Sequence, residues 1–157
     1  MIEIVALLHN IRSIHNVGSI FRTADGAGVK KLYLGGITPA PVDRLGKSRP
    51  QLTKVSLGAE NYVAWERVVS TTRIIDKLKK DGFHIIAVEQ DKKSIPYGDF
   101  KSSKFNKAAL VMGNEVRGLP KSILRRADTI LEIPMYGHKE SLNVSVAFGI
   151  VVYSFSR

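Results

Sequence analysis

Hydrophobic and polar positions in the first part of the chain predict a strand, a helix and a second strand. The apolar run over residues 2–8 predicts a buried strand. Residues 16–28 then carry apolar side chains at the i, i+3, i+4, i+7 spacing of a helix. Asn16 is placed as its N-cap, and Gly26 and Gly28 are placed to end it.

The same alternation continues to the C-terminal third of the chain. The pattern predicts strands over residues 29–34, around Val68, and over 83–90, 108–113 and 129–135, and helices over 71–80 and 119–126. The basic, Pro- and Gly-punctuated stretch 35–61 predicts a functional or mobile loop with at most short helical pieces. Residues 92–105 are polar and loop-like. Strands alternating with helices predict an α/β fold with a mainly parallel sheet flanked by helices.

The C-terminal stretch has a pattern with two interpretations. Apolar side chains alternate with small or polar ones over residues 142–152, which is the period-two signature of a half-buried strand. A loop containing Pro134 and Gly137 leads into it, however, and Ser141 stands where a helix N-cap would stand. Wound as a helix, residues 142–155 would carry apolar side chains around much of the circumference, more than one small core covers. This second interpretation predicts a homodimer with the helix in its interface.

Composition narrows the class of protein. A length of 157 residues with 44% hydrophobic positions predicts one folded domain, residues 1–157. No apolar run is long enough to span a bilayer, and we expect a cytoplasmic protein with no membrane partner. The absence of cysteine excludes disulfides and thiolate metal sites. The net charge of +10 favours a polyanionic partner, and nucleic acid is preferred because no basic amphipathic helix with bulky apolar anchors is present.

The sequence matches none of three familiar ligand-binding motifs, because the residues that each motif requires are not at the required positions. Gly-Lys-Ser at 46–48 is the tail of a phosphate-binding loop, but Pro41 occupies the position of the required first glycine. The glycines around residue 26 end a helix and lack the third glycine of a dinucleotide fingerprint. The four histidines show no ligand spacing, so we expect no metal.

Three other segments carry polar residues in unusual settings. HNIRSIHNVGSIFRTADGAGV contains Asn16 and Arg22, VMGNEVRGLP contains Glu115 after a buried strand, and IPMYGHKESLNVSVAFGI contains Ser141 and Asn143. Taken singly, each has an ordinary structural explanation as a cap, a solvated cation or a surface turn. A polar loop at the carboxyl end of a parallel strand is, however, where α/β folds place ligands.

In this order, the three segments resemble the three motifs of the SpoU (TrmH-like) branch of the SPOUT RNA methyltransferases. The resemblance runs from Asn10 to Tyr153. Over this range the sequence resembles the catalytic domain alone, without a separate RNA-binding domain. It implies that the C-terminal stretch is a loop followed by a helix, threaded into a deep trefoil knot. It also implies an active site completed across the boundary of a homodimer. One difference is Arg117, where relatives often have glycine.

The resemblance also implies a cofactor and site residues. S-adenosylmethionine is expected at the loops that contain Gly113, Ile133 and Leu142. The residues implied for the active site are Asn16, Arg22, Glu115, Ser141 and Asn143. Arg22 is expected near the acceptor hydroxyl, either as a base or as an electrostatic stabiliser. The two asparagines would orient Arg22 or the ribose, and Glu115 and Ser141 would organise the loops.

The function implied is transfer of a methyl group from S-adenosylmethionine to a ribose 2′-hydroxyl of tRNA or rRNA. The alternative is a knotted RNA-binding module without catalysis, which the basic charge alone would equally support. A nicotinamide- or nucleotide-binding oxidoreductase is a third possibility, disfavoured by the missing glycine fingerprint.

Overall fold

The structure, a computed structural model, describes residues 1–155. Its strands are β1 (Glu3–His9), β2 (Lys31–Gly35), β3 (Ala64–Val68), β4 (His84–Val88), β5 (Ile95–Pro96), β6 (Lys107–Met112) and β7 (Thr129–Glu132). Its α-helices are α1 (Ile14–Gly26), α2 (Pro50–Ser56), α3 (Thr71–Lys80), α4 (Lys121–Leu124) and α5 (Val144–Phe155). Short 3₁₀ turns lie at Ala59–Asn61, Tyr97–Asp99 and Ser102–Lys104.

The strands form one seven-stranded sheet in the order β3-β2-β1-β6-β4-β7-β5. Every strand pairing in it is parallel. The middle strands β1, β6 and β4 are nearly continuous apolar runs because helices cover both faces of the sheet. The prediction of a mainly parallel sheet flanked by helices is confirmed.

Helices cover the two faces unequally. On one face α1 and α5 pack together over the sheet, with α2 against the outer side of α1, and Phe21 and Phe148 are fully buried there. On the other face α3 and α4 contribute Ile75 and Ile123 to a second apolar cluster. The period-two interpretation of residues 142–152 is therefore wrong, since this segment is mostly the helix α5.

The caps of two helices differ from those predicted. Ser13, not Asn16, caps α1, and its hydroxyl accepts a hydrogen bond from the Asn16 N–H at 3.1 Å. At α5, Asn143 takes the capping position expected for Ser141, because its side-chain oxygen accepts the Ser145 N–H at 2.9 Å. The side chain of Asn16 is therefore available for other hydrogen bonds, and Ser141 belongs to the loop before α5.

Two predicted loops contain regular structure. The polar stretch 92–105 includes the edge strand β5 and two 3₁₀ turns. The basic stretch 35–61 contains α2 and an ordered turn, in which the Asp43 carboxylate accepts the N–H groups of Leu45 and Lys47. Val42 and Ser48 pair as an antiparallel bridge at the base of this turn, and the bridge holds the two ends of the turn together.

None of the helices within residues 1–155 is both long and apolar enough to cross a membrane.

Candidate active site

A cavity of about 520 Å³ opens at the carboxyl ends of β4, β6 and β7. Three neighbouring strands end there, and the loops that follow β6 and β7 form its walls. Six of the eight residues expected in the site line this cavity: Gly113, Glu115, Ile133, Ser141, Leu142 and Asn143. The parallel sheet thus brings together two loops that are about twenty residues apart in the chain.

A polar network joins this cavity to α1. The side-chain amide of Asn16 donates to Glu115 Oε1 at 3.3 Å, and Asn16 Oδ1 accepts from Asn143 Nδ2 at 3.0 Å. Asn16 is only 7% exposed, so a buried amide joins three segments of the chain. The network fixes the start of α5 relative to α1 and to the loop after β6.

Glu115 is held as a carboxylate. Its partial burial alone would raise its pKa, but hydrogen bonds to the carboxylate from its own N–H, from the N–H groups of Arg12 and Ser13, and from Asn16 lower the pKa below the ordinary value. The Arg12 and Ser13 bonds are each 3.1 Å long. The charge therefore ties the loop after β1 to the loop after β6.

Glycines let the backbone close tightly at the cavity floor. A β-carbon on Gly113 would lie 2.7 Å from the carbonyl carbon of Gly118 and 2.8 Å from the Leu119 side chain. Gly118 itself has φ of +65°, a conformation that favours glycine. The cavity is therefore shaped mainly by backbone, and a side chain at either glycine would distort it.

The lining of the cavity is acidic although the protein as a whole is basic. Four glutamates line it: Glu89, Glu115, Glu132 and Glu140. None of the described residues that line it is Lys or Arg. Such a lining favours a ligand carrying positive charge and disfavours the phosphates of a dinucleotide.

Arg22 lies away from this cavity. It lines a separate cavity of about 530 Å³, together with Ser19, Thr23, Gly26, Val55 and Tyr153. This places it where α1, α2 and the end of α5 meet. Within one chain, the structure brings Asn16, Glu115 and Asn143 together but does not bring Arg22 to them.

Several lining residues were not found by sequence reasoning. Glu89 and Gln90 follow β4 and reach the cavity, as do Glu132 and Glu140. The signal available for the first two was their place at the end of the predicted strand 83–90. Residues 1–155 contain no group of three or more acidic or histidine side chains that could hold a metal ion.

Comparison with known proteins connects this site to a family. The model of the family described as "SpoU rRNA Methylase family" matches residues 3–153. A tRNA (guanosine(18)-2′-O)-methyltransferase of Aquifex aeolicus is 32% identical over 155 residues, which cover 99% of this chain and 69% of that protein.

Solved structures agree with the sequence match. A rRNA methyltransferase from Sinorhizobium meliloti with bound AdoMet superposes with a TM-score of 0.86 at 29% identity, over 96% of this chain and 54% of the other. A structure described as giving insight into 2-OH methylation of C/U34 on tRNA has a TM-score of 0.78 at 27% identity, over 97% of this chain and 93% of the other. This chain therefore spans little more than half of the first solved protein and nearly all of the second.

The names of these relatives, together with the AdoMet bound in a neighbour of the same fold, support the predicted methyltransferase and its cofactor over a non-catalytic RNA-binding module. The family match over residues 3–153 includes every segment of the polar network around Glu115. The chain belongs to the SpoU rRNA methylase family.

Proposed function

We propose that this protein transfers a methyl group from S-adenosylmethionine to a ribose 2′-hydroxyl of tRNA or rRNA. The observation that carries the proposal is the cavity at the ends of β4, β6 and β7, formed by the segments that match the family and lined by carboxylates. The chain as a whole carries a net charge of +10, none of its described Lys or Arg residues lines that cavity, and such a basic surface suits an RNA partner. Since tRNA and rRNA are the proposed substrates, we place the protein in the cytoplasm.

The residues of the cavity fit S-adenosylmethionine. The cofactor carries a sulfonium and an ammonium group, which four glutamates would attract, and about 520 Å³ is a volume typical of small-molecule sites. Gly113, Ile133 and Leu142 would contact it, with Ser141 at the same wall. When bound, it supplies an electrophilic methyl group.

The reaction needs alignment and charge stabilisation. In such a transfer the 2′-oxygen would form a bond to the methyl carbon as the carbon–sulfur bond breaks, and the hydroxyl proton would pass to water or to an RNA phosphate. Alignment of two reactants can supply about 7–11 kcal/mol of the barrier reduction. Asn16 and Asn143 would orient the ribose or Arg22, while Glu115 keeps their loops in register. Arg22 would stabilise the developing negative charge on the oxygen, because a guanidinium carries a positive charge at neutral pH.

We further propose that the active site is completed in a homodimer. On α5, the core face is fully buried, but Val146 is 48% exposed and Tyr153 51% exposed, seven residues apart on the outer side. Leu142, at the cavity, continues this apolar stripe. A twofold axis through the stripe would set the Tyr153 end of one subunit, where Arg22 lies, toward the cavity of its partner. This accounts for the separation of Arg22 from Glu115 within one chain.

We also propose the two remaining features implied by the resemblance: that residues 1–157 act as one catalytic domain, and that the C-terminal segment is threaded as a deep trefoil knot. The likeness to a chain of which this one covers 93% supports the first, and the TM-scores with family structures support the second. A knotted chain stretched from both ends would retain a shorter contour than about 3.3–3.6 Å per residue predicts.

The decisive experiment is mass-spectrometric mapping of ribose methylation in total RNA from cells with and without this protein. We expect one or a few 2′-O-methyl positions to be lost in its absence. The purified protein should restore them with S-adenosylmethionine, but not on RNA carrying 2′-deoxyribose at the mapped position. Binding of NADH in place of S-adenosylmethionine would contradict the proposal.

A further inference from the structure

Glu89 and Gln90 occupy a special place in the sheet. They directly follow β4, and β4 lies between β6 and β7 in the strand order. The loop after β6 and the loop after β7 are the two walls of the cavity. The residues that follow β4 are therefore flanked by both walls.

Glu89 is bonded to the first wall. Its Oε2 accepts the Leu119 N–H at 2.9 Å, and its Oε1 accepts the N–H of Gln90 at the same distance. The carboxylate lies so close to Gly118 that a β-carbon there would overlap it. Glycine at 118 and glutamate at 89 therefore fit each other, and the side chain fixes where the loop after β6 ends.

Gln90 is bonded to the second wall. Its Nε2 donates to the backbone carbonyl of Glu140 at 2.6 Å, immediately before Ser141 and Leu142. The Glu89 N–H in turn donates to the carbonyl of Leu131 at 3.0 Å, which extends the β4–β7 ladder to this point. Two adjacent side chains thus reach in opposite directions along the edge of the sheet.

We propose that Glu89 and Gln90 are positioning residues that hold the two cofactor-binding loops at a fixed separation and thereby set the affinity for S-adenosylmethionine. The inference rests on the proposed function for the identity of the ligand. Both loops otherwise carry exposed residues over much of their length, and in particular residues 136–143 are exposed. If the two loops are already held in place, they lose less conformational entropy when the cofactor binds, and the binding is tighter.

The test compares Glu89→Ala, Glu89→Gln and Gln90→Ala with the parent, and uses Glu66→Ala as the matched control. Glu66 is a glutamate of the same sheet, on β3, paired with Lys31 and distant from the cavity. Calorimetric titration with S-adenosylmethionine should show about tenfold weaker binding for Glu89→Ala and for Gln90→Ala. Glu89→Gln should recover part of the affinity because its amide oxygen can still accept the Leu119 N–H.

Two readouts separate positioning from a general loss of structure. Hydrogen exchange without cofactor should show faster exchange of the Leu119 amide in Glu89→Ala and unchanged exchange there in Gln90→Ala. At saturating RNA and cofactor, kcat should stay within about threefold of the parent, so that the change appears in KM for the cofactor.

If the parent and both alanine variants bind S-adenosylmethionine equally well and the exchange of the Leu119 amide is unchanged, the inference is overturned while the proposed function stands. Failure of the parent to bind S-adenosylmethionine would overturn the proposed function and the inference with it. If Glu89→Ala does not fold, Glu89→Gln and Gln90→Ala decide the question by the same measurements.

Discussion

Glu115 joins the start of α1 to the loop after β6 through its charge, and this makes the site sensitive to acid. Because hydrogen bonds hold its pKa below the ordinary value of 4.5 in the folded chain, the carboxylate adds to stability above that pH. The contribution is lost as the pH falls from 4.5 through the lowered pKa of the folded state. Acid should therefore loosen the network of Asn16, Glu115 and Asn143 together.

We expect Glu115→Gln to lower the melting temperature at pH about 7, and the difference from the parent to shrink as the pH falls below 4.5 and the Glu115 carboxylate takes up a proton. Thermal unfolding followed by circular dichroism across this range checks it. Glu66→Gln, which alters an exposed glutamate, serves as the comparison. A difference from the parent that stays constant with pH would contradict the assignment of a charge-dependent role.

Arg22→Ala should lower the single-turnover rate of methyl transfer by roughly a hundredfold or more, because it removes an interaction made mainly in the transition state. Affinity for the cofactor should hardly change, since Arg22 lies outside the main cavity. Arg73→Ala, an exposed arginine on α3 over the other face of the sheet, is the matched control. A rate within about threefold of the parent would remove Arg22 from the mechanism.

At the scale of elements, periodicity identified most strands and helices but failed at α5. Its alternating pattern arises because small residues such as Ala147 and Gly149 intersperse with apolar ones, and both faces of the helix are largely apolar. A β-carbon added to Gly149 would lie 3.6 Å from the Thr23 side chain of α1, so the two helices come close together at a point that no local pattern reveals. The cap of α1 was predicted wrongly for a similar reason. The side chain of Asn16 forms hydrogen bonds with Glu115 and Asn143, which lie 99 and 127 positions away in the chain.

The site was predicted unevenly for the same physical reason. Residues within the family motifs could be named from the sequence, because the motifs are contiguous. Glu89 and Gln90 could not be found in this way, since their importance arises from the position of β4 between β6 and β7. The separation of Arg22 from Glu115 is likewise a property of how helices pack and not of spacing along the chain.

The basic turn at residues 42–48 is an element whose exposed cations suit RNA phosphates. Arg44 and Lys47 are exposed on it, and Asp43 orders its backbone. We expect Lys47→Ala to raise KM for RNA several-fold while kcat stays largely intact, and to reduce the salt dependence of binding by about one unit of slope. Steady-state kinetics at several salt concentrations measures both.

Lys80→Ala is the control for this variant, because Lys80 is exposed at the end of α3 over the opposite face of the sheet. Equal changes in KM for the two variants would show that the turn has no special part in RNA binding.

At the scale of the whole molecule, the unpaired apolar stripe of α5 gives a prediction about assembly. We expect a homodimer in sedimentation at micromolar concentration, and monomers when Val146→Asp places a charge on the stripe. Methyl transfer should fall with dissociation, whereas cofactor binding should persist because the cavity belongs to one chain. Thr72→Asp, on a partly exposed position of α3, is the matched control.

A parent protein that sediments as a monomer at this concentration, or a monomeric Val146→Asp variant with full activity, would contradict the dimer.

The strand order also has a consequence for the time course of biosynthesis. Glu3 of β1 pairs with Lys107 of β6, so β1 completes its pairing only after 104 further residues have been added. At about 5–20 residues per second, this leaves a largely apolar strand incompletely paired for roughly 5–20 s on the ribosome. The nascent chain is therefore exposed to aggregation at β1 during this interval, and slowing translation before residue 107 should increase its association with chaperones.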